Sequence, residues 1–460
     1  MGEGARRVQL GELRARGISG IDLPGFVRLR CIKRKEIWMQ QTTCTGTGDR
    51  SLFDRFTVPT VALEALLLFF VALSSSPSIL HGLVPDVLSK STSVLLIAVM
   101  AARCNYRQSG AMLVPWSICF TMLFISGVAV NLSSTNAAPA FYAALLLFLS
   151  MALTSRLRNK AFVSKVAHWW IILFWIISVC TLANMLLIHT VPSIFRDIDY
   201  GQISAGNVRN YLVSPFGAVI VQDYGAFVVY RVTGILAEPG MMSMFFLANA
   251  TLGILYKDSV FSRRFGIANL LAAFATQSLA FYCALLVTTL YYVIQSKRKK
   301  LQIFVAILVL AGVIALSGQI LDGVQSLFDR SSMSVRQSDA DYLVQRITDA
   351  PWAILTGYAW WGDYRQFPSA YQQIFYQAGL IGVISYVVYL WRILRGAPLA
   401  AVVILVCGAS IDYQTFWIFP LLLFVVGAYS VLRETTESDN SVVFTPMDPM
   451  MGQGSTAECE

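Results

Sequence analysis

The stretch RVTGILAEPGMMSMFFLANATLGILY, residues 231–256, decides how the chain is read. Arg231 stands outside an apolar run, Gly234 follows three residues on, and Glu238 and Pro239 then open a helix long enough to cross a bilayer. Proline suits the first helical position, because its missing N–H would have no partner there in any case. An acidic residue just before it faces the positive end of the helix dipole. The residues alone leave two readings open. Either Glu238 caps the helix and Arg231 anchors it at the headgroups, or both side chains are held there for chemistry.

The composition belongs to the membrane class. Of 460 residues 56% are hydrophobic and only 13% are charged, with a mean hydropathy of +0.61. A soluble domain carries about 25% charged residues. Apolar runs occur at 57–75, 87–103, 111–131, 138–154, 166–188, 239–256, 265–277, 279–296, 301–317, 373–392, 397–411 and 416–432. The fold class expected is therefore all-α, a polytopic bundle of about twelve transmembrane helices filling 57–432. Runs 265–277 and 397–411 are short for complete spans and are expected to be tilted, broken or partly inserted.

Lys and Arg set the orientation, since cytoplasmic connections carry their excess. The tail 1–56 holds eleven of them, and every second connection is basic: Arg103 and Arg107; Arg156, Arg158, Lys160 and Lys165; Lys257, Arg263 and Arg264; 297–300; Arg392 and Arg395; then Arg433. An even number of spans with both ends inside satisfies this pattern. The net charge of +9 is then a topology signal, not a nucleic-acid footprint. The polar, basic first forty residues lack the apolar core of a cleavable leader, so insertion is expected to use the first span. Tails 1–56 and 433–460 are expected to be unstructured. Eight cysteines without a CxxC pair, none in a long external loop, argue against a disulfide framework or a cysteine zinc site. His81, His168 and His189 are too scattered for a metal motif.

Two external connections are long, about 189–238 and 318–372, and loops of that size usually carry function. The first contains Arg196, Arg209 and Arg231, the second Arg330, Arg336, Arg346 and Arg365, and neither contains lysine. A guanidinium fork holds two phosphate oxygens at once, whereas lysine is a point charge. Arginines kept outside against the insertion bias therefore suggest an anionic ligand, ordinary pairing with Asp197, Asp199, Asp322, Asp329 or Asp349 being the bland alternative. The first loop is rich in β-branched and aromatic residues among glycines and suits short strands or half-inserted segments. The second carries a helix capped by Ser332 or Ser334, with Leu343 and Ile347 on one face and Pro351 beyond its end. In GYAWWGDYRQF, Trp360, Trp361 and Tyr364 suit sugar faces or, equally, a membrane-interface belt. The pairs Asp197/Asp199 and Asp339/Asp341 have the spacing of metal-holding carboxylates, but Asp is common at helix starts and the structural reading is preferred.

Four pieces together resemble the bacterial O-antigen polymerase and ligase superfamily. They are Arg231-x-x-Gly234-x-x-x-Glu238-Pro239; Thr276-Gln277-Ser278 between two apolar stretches; Ser334-Val335-Arg336 with Gly357 some twenty residues on; and Ser369-Ala370-Tyr371-Gln372-Gln373 leading into Tyr376 to Gly382. The match covers about 230–395. Ligases of this superfamily place a histidine where this chain has Ser369, which favours a polymerase.

The resemblance implies a GT-C-like, metal-independent, inverting membrane glycosyltransferase without a cofactor, in the bacterial inner membrane with both termini cytoplasmic. It would move a growing undecaprenyl-pyrophosphate-linked glycan onto a lipid-linked repeat unit, making O-antigen, capsule or exopolysaccharide. A flippase and a chain-length regulator are the expected partners. Arg231 and Arg336 are expected to clamp the pyrophosphate, Arg346 to stand in reserve, and Glu238 to take the hydroxyl proton. Gly234, Ser278, Arg346, Trp360, Trp361, Arg365 and Gln372 are expected to contact substrate. The ligase of the same superfamily and a polysaccharide or lipid transporter are the alternatives.

Overall fold

The computed structural model describes residues 52–75, 84–103, 110–133, 138–199, 210–223, 228–236, 238–256, 261–296, 331–359, 365, 367–412 and 417–429. The chain divides into two compact units, Met1–Val58 and Pro59–Glu460, and every site discussed below belongs to the second. The described residues are mostly helical. In chain order come α1 (Leu52–Ser74), α2 (Asp86–Ala102), α3 (Gly110–Ser133), α4 (Ala138–Thr154) and α5 (Lys160–Thr190). A sheet follows, β1 (Arg196–Asp199), β2 (Asn210–Ser214), β3 (Gly217–Asp223) and β4 (Val228–Gly234). Then come α6 (Pro239–Ile254), α7 (Arg263–Ala275), α8 (Leu279–Gln295), α9 (Ser331–Asp349), α10 (Ala370–Leu394), α11 (Pro398–Gly408) and α12 (Phe419–Tyr429).

Each expected apolar run coincides with one of these helices, except 301–317, which lies outside the described residues. Among the described residues, three helices are long and apolar enough to cross a membrane: α3 through its segment Met112–Ala129, α5 and α10. The short runs 265–277 and 397–411 are the short helices α7 and α11. Residues 1–51 and the tail 433–460 lie outside the described residues.

The all-α expectation needs one correction. Residues 196–234 hold a four-stranded antiparallel meander in the order β1-β2-β3-β4. Its β-branched and aromatic residues favour a pleated, half-buried surface, and Ser214-Pro215-Phe216-Gly217 has the residue order of a type I turn. One face, with Leu212, Val219 and Val232, packs on Met185 of α5 and Ala275 of α7. The other carries Tyr211, Ala218 and Ile220. The short strands expected for this connection are present, and the sheet they form is fastened to the helices.

The helical core is tied by polar as well as apolar contacts. The Trp170 indole donates to Asn249 Oδ1 at 2.8 Å, and Asn249 Nδ2 donates to Asn269 Oδ1 at 3.2 Å, linking α5, α6 and α7. Helices α6 and α7 cross at Gly253 and Gly266, where a Cβ on Gly253 would stand 2.8 Å from the Gly266 backbone. Small residues at such a crossing let helices approach closely in an apolar surround. Glu64 on α1 is only 5% exposed and is ion-paired with both Arg156, just beyond α4, and Arg103, at the end of α2. The Arg156 guanidinium also lies 4.1 Å from the Phe162 ring centroid.

Candidate functional site

The corner between β4 and α6 is built by Gly234. It adopts φ +65°, where a side chain is strained, and so turns the chain out of the strand. Thr181 Oγ1 of α5 lies 3.4 Å and Met242 of α6 3.3 Å from where its Cβ would be. Gly217 (φ +128°) closes the corner from β3, its absent Cβ only 2.7 Å from the Gly234 carbonyl oxygen. Upstream, Arg231 stands opposite Ile220, which in turn pairs with Tyr211, so the arginine belongs to the sheet face away from Val232. It is half-buried. Downstream, Glu238 occupies the N-cap of α6 in an extended conformation, and Pro239 takes N1. The carboxylate makes no capping bond to the helix. The capping reading of Glu238 therefore holds for its position and not for its side chain.

Three helix starts meet beside this corner. Ser278, N-cap of α8, brings its Oγ within 3.3 Å of the Cβ position of Gly240 in the first turn of α6. Ile411 lies 3.6 Å from the same point, and its carbonyl accepts the Ala370 N–H at the start of α10 at 3.1 Å. The starts of α6 and α10 thus both meet Ile411, with the start of α8 against that of α6. Asp412, buried, is a carboxylate that the sequence reading did not single out. The Thr276-Gln277-Ser278 break also has a backbone reason. Gln277 takes φ +47°, uncommon for a residue with a side chain, while Thr276 and Ser278 on either side are buried. Ser369 is a helix cap. Its Oγ accepts from Gln372 N–H at 3.5 Å and donates to the Gly408 carbonyl at 3.0 Å, tying α10 to α11.

The second long connection forms a small core of its own against the first turns of α10, with Leu343, Ala353, Tyr358, Ala359, Phe367 and Tyr376 buried together. Tyr342 lies between two guanidiniums. Arg346 is 5.1 Å from its ring centroid and donates Nε–H to its hydroxyl at 3.0 Å; Arg365 is 4.4 Å from the same centroid. The Tyr342 hydrogen bond holds the Arg346 pKa above its ordinary value. Arg365 is committed elsewhere, donating from Nε and Nη2 to Asp339 Oδ1 at 2.9 and 2.5 Å. Arg346 has no carboxylate within ion-pairing distance among the described residues. Gln373 fastens this loop to α10, its Oε1 accepting from Phe367 N–H at 2.7 Å and its Nε2 donating to the Arg365 carbonyl at 3.4 Å.

The structure therefore gathers Gly234, Glu238 and Ser278 at one end of the helices, with Arg231 on the strand leading there. It gathers Arg346, Arg365 and the half-buried Gln372 around the first turns of α10. Arg365 is ion-paired, and its partner is Asp339, not one of the aspartates anticipated. Asp339 is buried in that pair, whereas Asp341 is exposed. Arg336 lies on α9, but its side chain falls outside the described residues, as do Trp360, Trp361, Arg209 and Arg330. Among the described residues no three His, Cys, Asp or Glu side chains gather as a metal site. Sequence reasoning also missed Tyr342, whose only signal was its spacing of four residues from Arg346. No protein-family model matches the chain, and no relative was found among curated proteins or solved structures.

Proposed function

We propose that this protein is a membrane glycosyltransferase that polymerises a lipid-pyrophosphate-linked glycan at the outer face of a bacterial inner membrane. The reading rests first on the four-part resemblance, and then on one observation. The starts of α6, α8 and α10 meet at one end of the helices, with Arg231 on the strand that leads into α6 and Arg346 bonded to Tyr342, whose hydroxyl lies 3.4 Å from that of Tyr376 on α10. Ala370 and Gln372 already spend their N–H groups and Pro239 has none, so what these helix starts offer a phosphate group is chiefly their positive dipole ends.

Topology supports it. The ends that the basic connections assign to the outside, 238–240, 278, 369–370 and 411, are the ends in contact. Those assigned to the inside touch likewise: the Tyr256 hydroxyl accepts the Leu399 N–H at 3.0 Å, and the Tyr256 ring lies 4.7 Å from that of Tyr429. A GT-C-like bundle with both termini inside accommodates all of this.

In the proposed reaction an acceptor hydroxyl oxygen attacks the donor's anomeric carbon from the face opposite the lipid pyrophosphate. The bond from that carbon to the pyrophosphate oxygen breaks, its electron pair leaves with the pyrophosphate, and configuration inverts. Arg231 and Arg346 receive the developing negative charge, with Arg336 as the third guanidinium. Fixed charges of this kind lower a barrier by about 3–4 kcal/mol each when well placed. Glu238 or Asp412 takes the hydroxyl proton.

Reconstitution with a purified lipid-linked repeat unit tests the proposal, and a ladder of longer lipid-linked glycans is expected. Arg231→Lys and Arg346→Lys should each reduce the ladder at least a hundredfold at unchanged protein level. Of Glu238→Gln and Asp412→Asn, only the variant lacking the base should do the same. Transfer to a lipid A core instead of self-extension would make it a ligase, and transbilayer movement without transfer would make it a transporter.

A further inference from the structure

Helix α10 is interrupted at Gly379 (φ 64°, ψ −167°), and residues 355–359 form a strap across the interruption. The Tyr358 N–H donates to the Tyr376 carbonyl at 2.7 Å, and the Ile381 N–H donates to the Leu355 carbonyl at 3.3 Å. An interrupted helix frees carbonyls on one side and N–H groups on the other, and the strap takes up one of each. The two backbones touch because both meet at glycines. A Cβ on Gly357 (φ +98°) would stand 2.7 Å from the Gln377 carbonyl oxygen, and one on Gly379 would collide with the Leu355 carbonyl.

Under this seam are polar groups without employment in the catalytic reading. Gln377 lies one turn along α10 from Gln373, so the two share a stripe of the helix. Gln373 spends its amide on the Arg365 loop, as described above. Gln377 is 1% exposed, yet neither its Oε1 nor its Nε2 has a hydrogen-bond partner among the described residues. The Tyr358 hydroxyl in the strap, 4% exposed overall, is in the same position. Buried polar groups are almost always bonded, and one that is not asks for an explanation. Aromatic rings surround the seam: Tyr358 is 6.0 Å from Phe375 and 6.5 Å from Tyr376, and Tyr376 is 5.1 Å from Phe367.

We infer that Gln377 and Tyr358 are the recognition groups of a subsite for a sugar ring, uncovered when the strap lifts from α10. A primary amide with both ends uncommitted presents a donor beside an acceptor, which complements two neighbouring ring hydroxyls. The tyrosine faces offer apolar surface to the C–H side of the same ring. The subsite deepens the glycosyltransferase reading by placing the acceptor's sugar beside α10. It rests on that reading for the choice of ligand.

The test is amide hydrogen exchange of the full-length protein in lipid nanodiscs. The probe is oligosaccharide released by mild acid from the producing cell's own surface polysaccharide. Sugar that holds the strap off α10 keeps the seam bonds broken, so strap and break amides, Tyr358 and Ile381 among them, should exchange several-fold faster with the probe present. The effect should vanish in Gln377→Leu and persist in Arg346→Lys, which makes little polymer. Tyr358→Phe, which keeps the ring and the backbone bond, should raise the half-saturating sugar concentration several-fold with exchange in the absence of sugar unchanged. Unchanged or slower exchange in the wild type, or acceleration that survives both Gln377→Leu and Tyr358→Phe, overturns the subsite. Acceleration in a wild-type protein that fails to extend the repeat unit would instead sink the polymerase reading and leave the subsite standing.

Discussion

At the scale of single residues, the arginines divide by what holds them. Arg365 is spent on Asp339, a carboxylate buried deeply enough to need its cation. Arg346 is braced by a tyrosine hydroxyl, and among the described residues no carboxylate within ion-pairing distance neutralises it. Arg365→Ala should therefore act on stability, costing about 1–3 kcal/mol by stranding a buried acceptor. Asp339→Asn/Arg365→Gln together should restore much of that loss; thermal unfolding of the detergent-solubilised variants reads both. Part of this division was legible beforehand. Arginine without lysine in the two long connections separated these side chains from bulk charge. Which arginine is paired was not legible, because Asp339 and Arg365 are 26 residues apart and meet only once α9 folds back on α10.

At the scale of elements, apolar runs gave helix positions well, because hydrophobic length is written directly in composition. The sheet was harder to read: its strands are four to seven residues long, and its glycines act only in pairs, as Gly217 does against Gly234. The interruption of α10 left almost no trace in sequence, since a glycine within an apolar run is usually tolerated in a helix. Gly379→Ala should cost about 4 kcal/mol or more, because the new methyl meets backbone and not a side chain that could move. Faster proteolysis confined to 350–360 would be the sign. The strap also carries a pH dependence. Burial pushes the Tyr358 phenol above its ordinary value. The folded strap thus keeps its proton where a free tyrosine, of pKa about 10, would lose it. Its stability is complete below about pH 10 and falls as the pH rises beyond that value. Tyr358→Phe should remove this alkaline loss, measured as strap proteolysis against pH.

At the scale of the whole molecule, the buried ion pairs of Glu64 join the first helix to chain far ahead of it. Glu64→Leu should strand Arg156, only 8% exposed, at a cost of about 3–5 kcal/mol, and lower the yield of monodisperse protein. Glu64→Leu/Arg156→Leu should recover much of that yield; a double variant no better than the single one would show the pairing to be incidental. The same ties impose an order on biosynthesis. Arg103 leaves the ribosome before Arg156, which follows Glu64 by 92 residues. At about 5–20 residues per second, that gap lasts roughly 5–20 seconds. Arg103 can take the Glu64 carboxylate within that interval, and the turn after α4 then brings its second partner. For an α1 embedded in a bilayer, where an unpaired carboxylate is costly, we expect the final placement to be settled by the first four helices together.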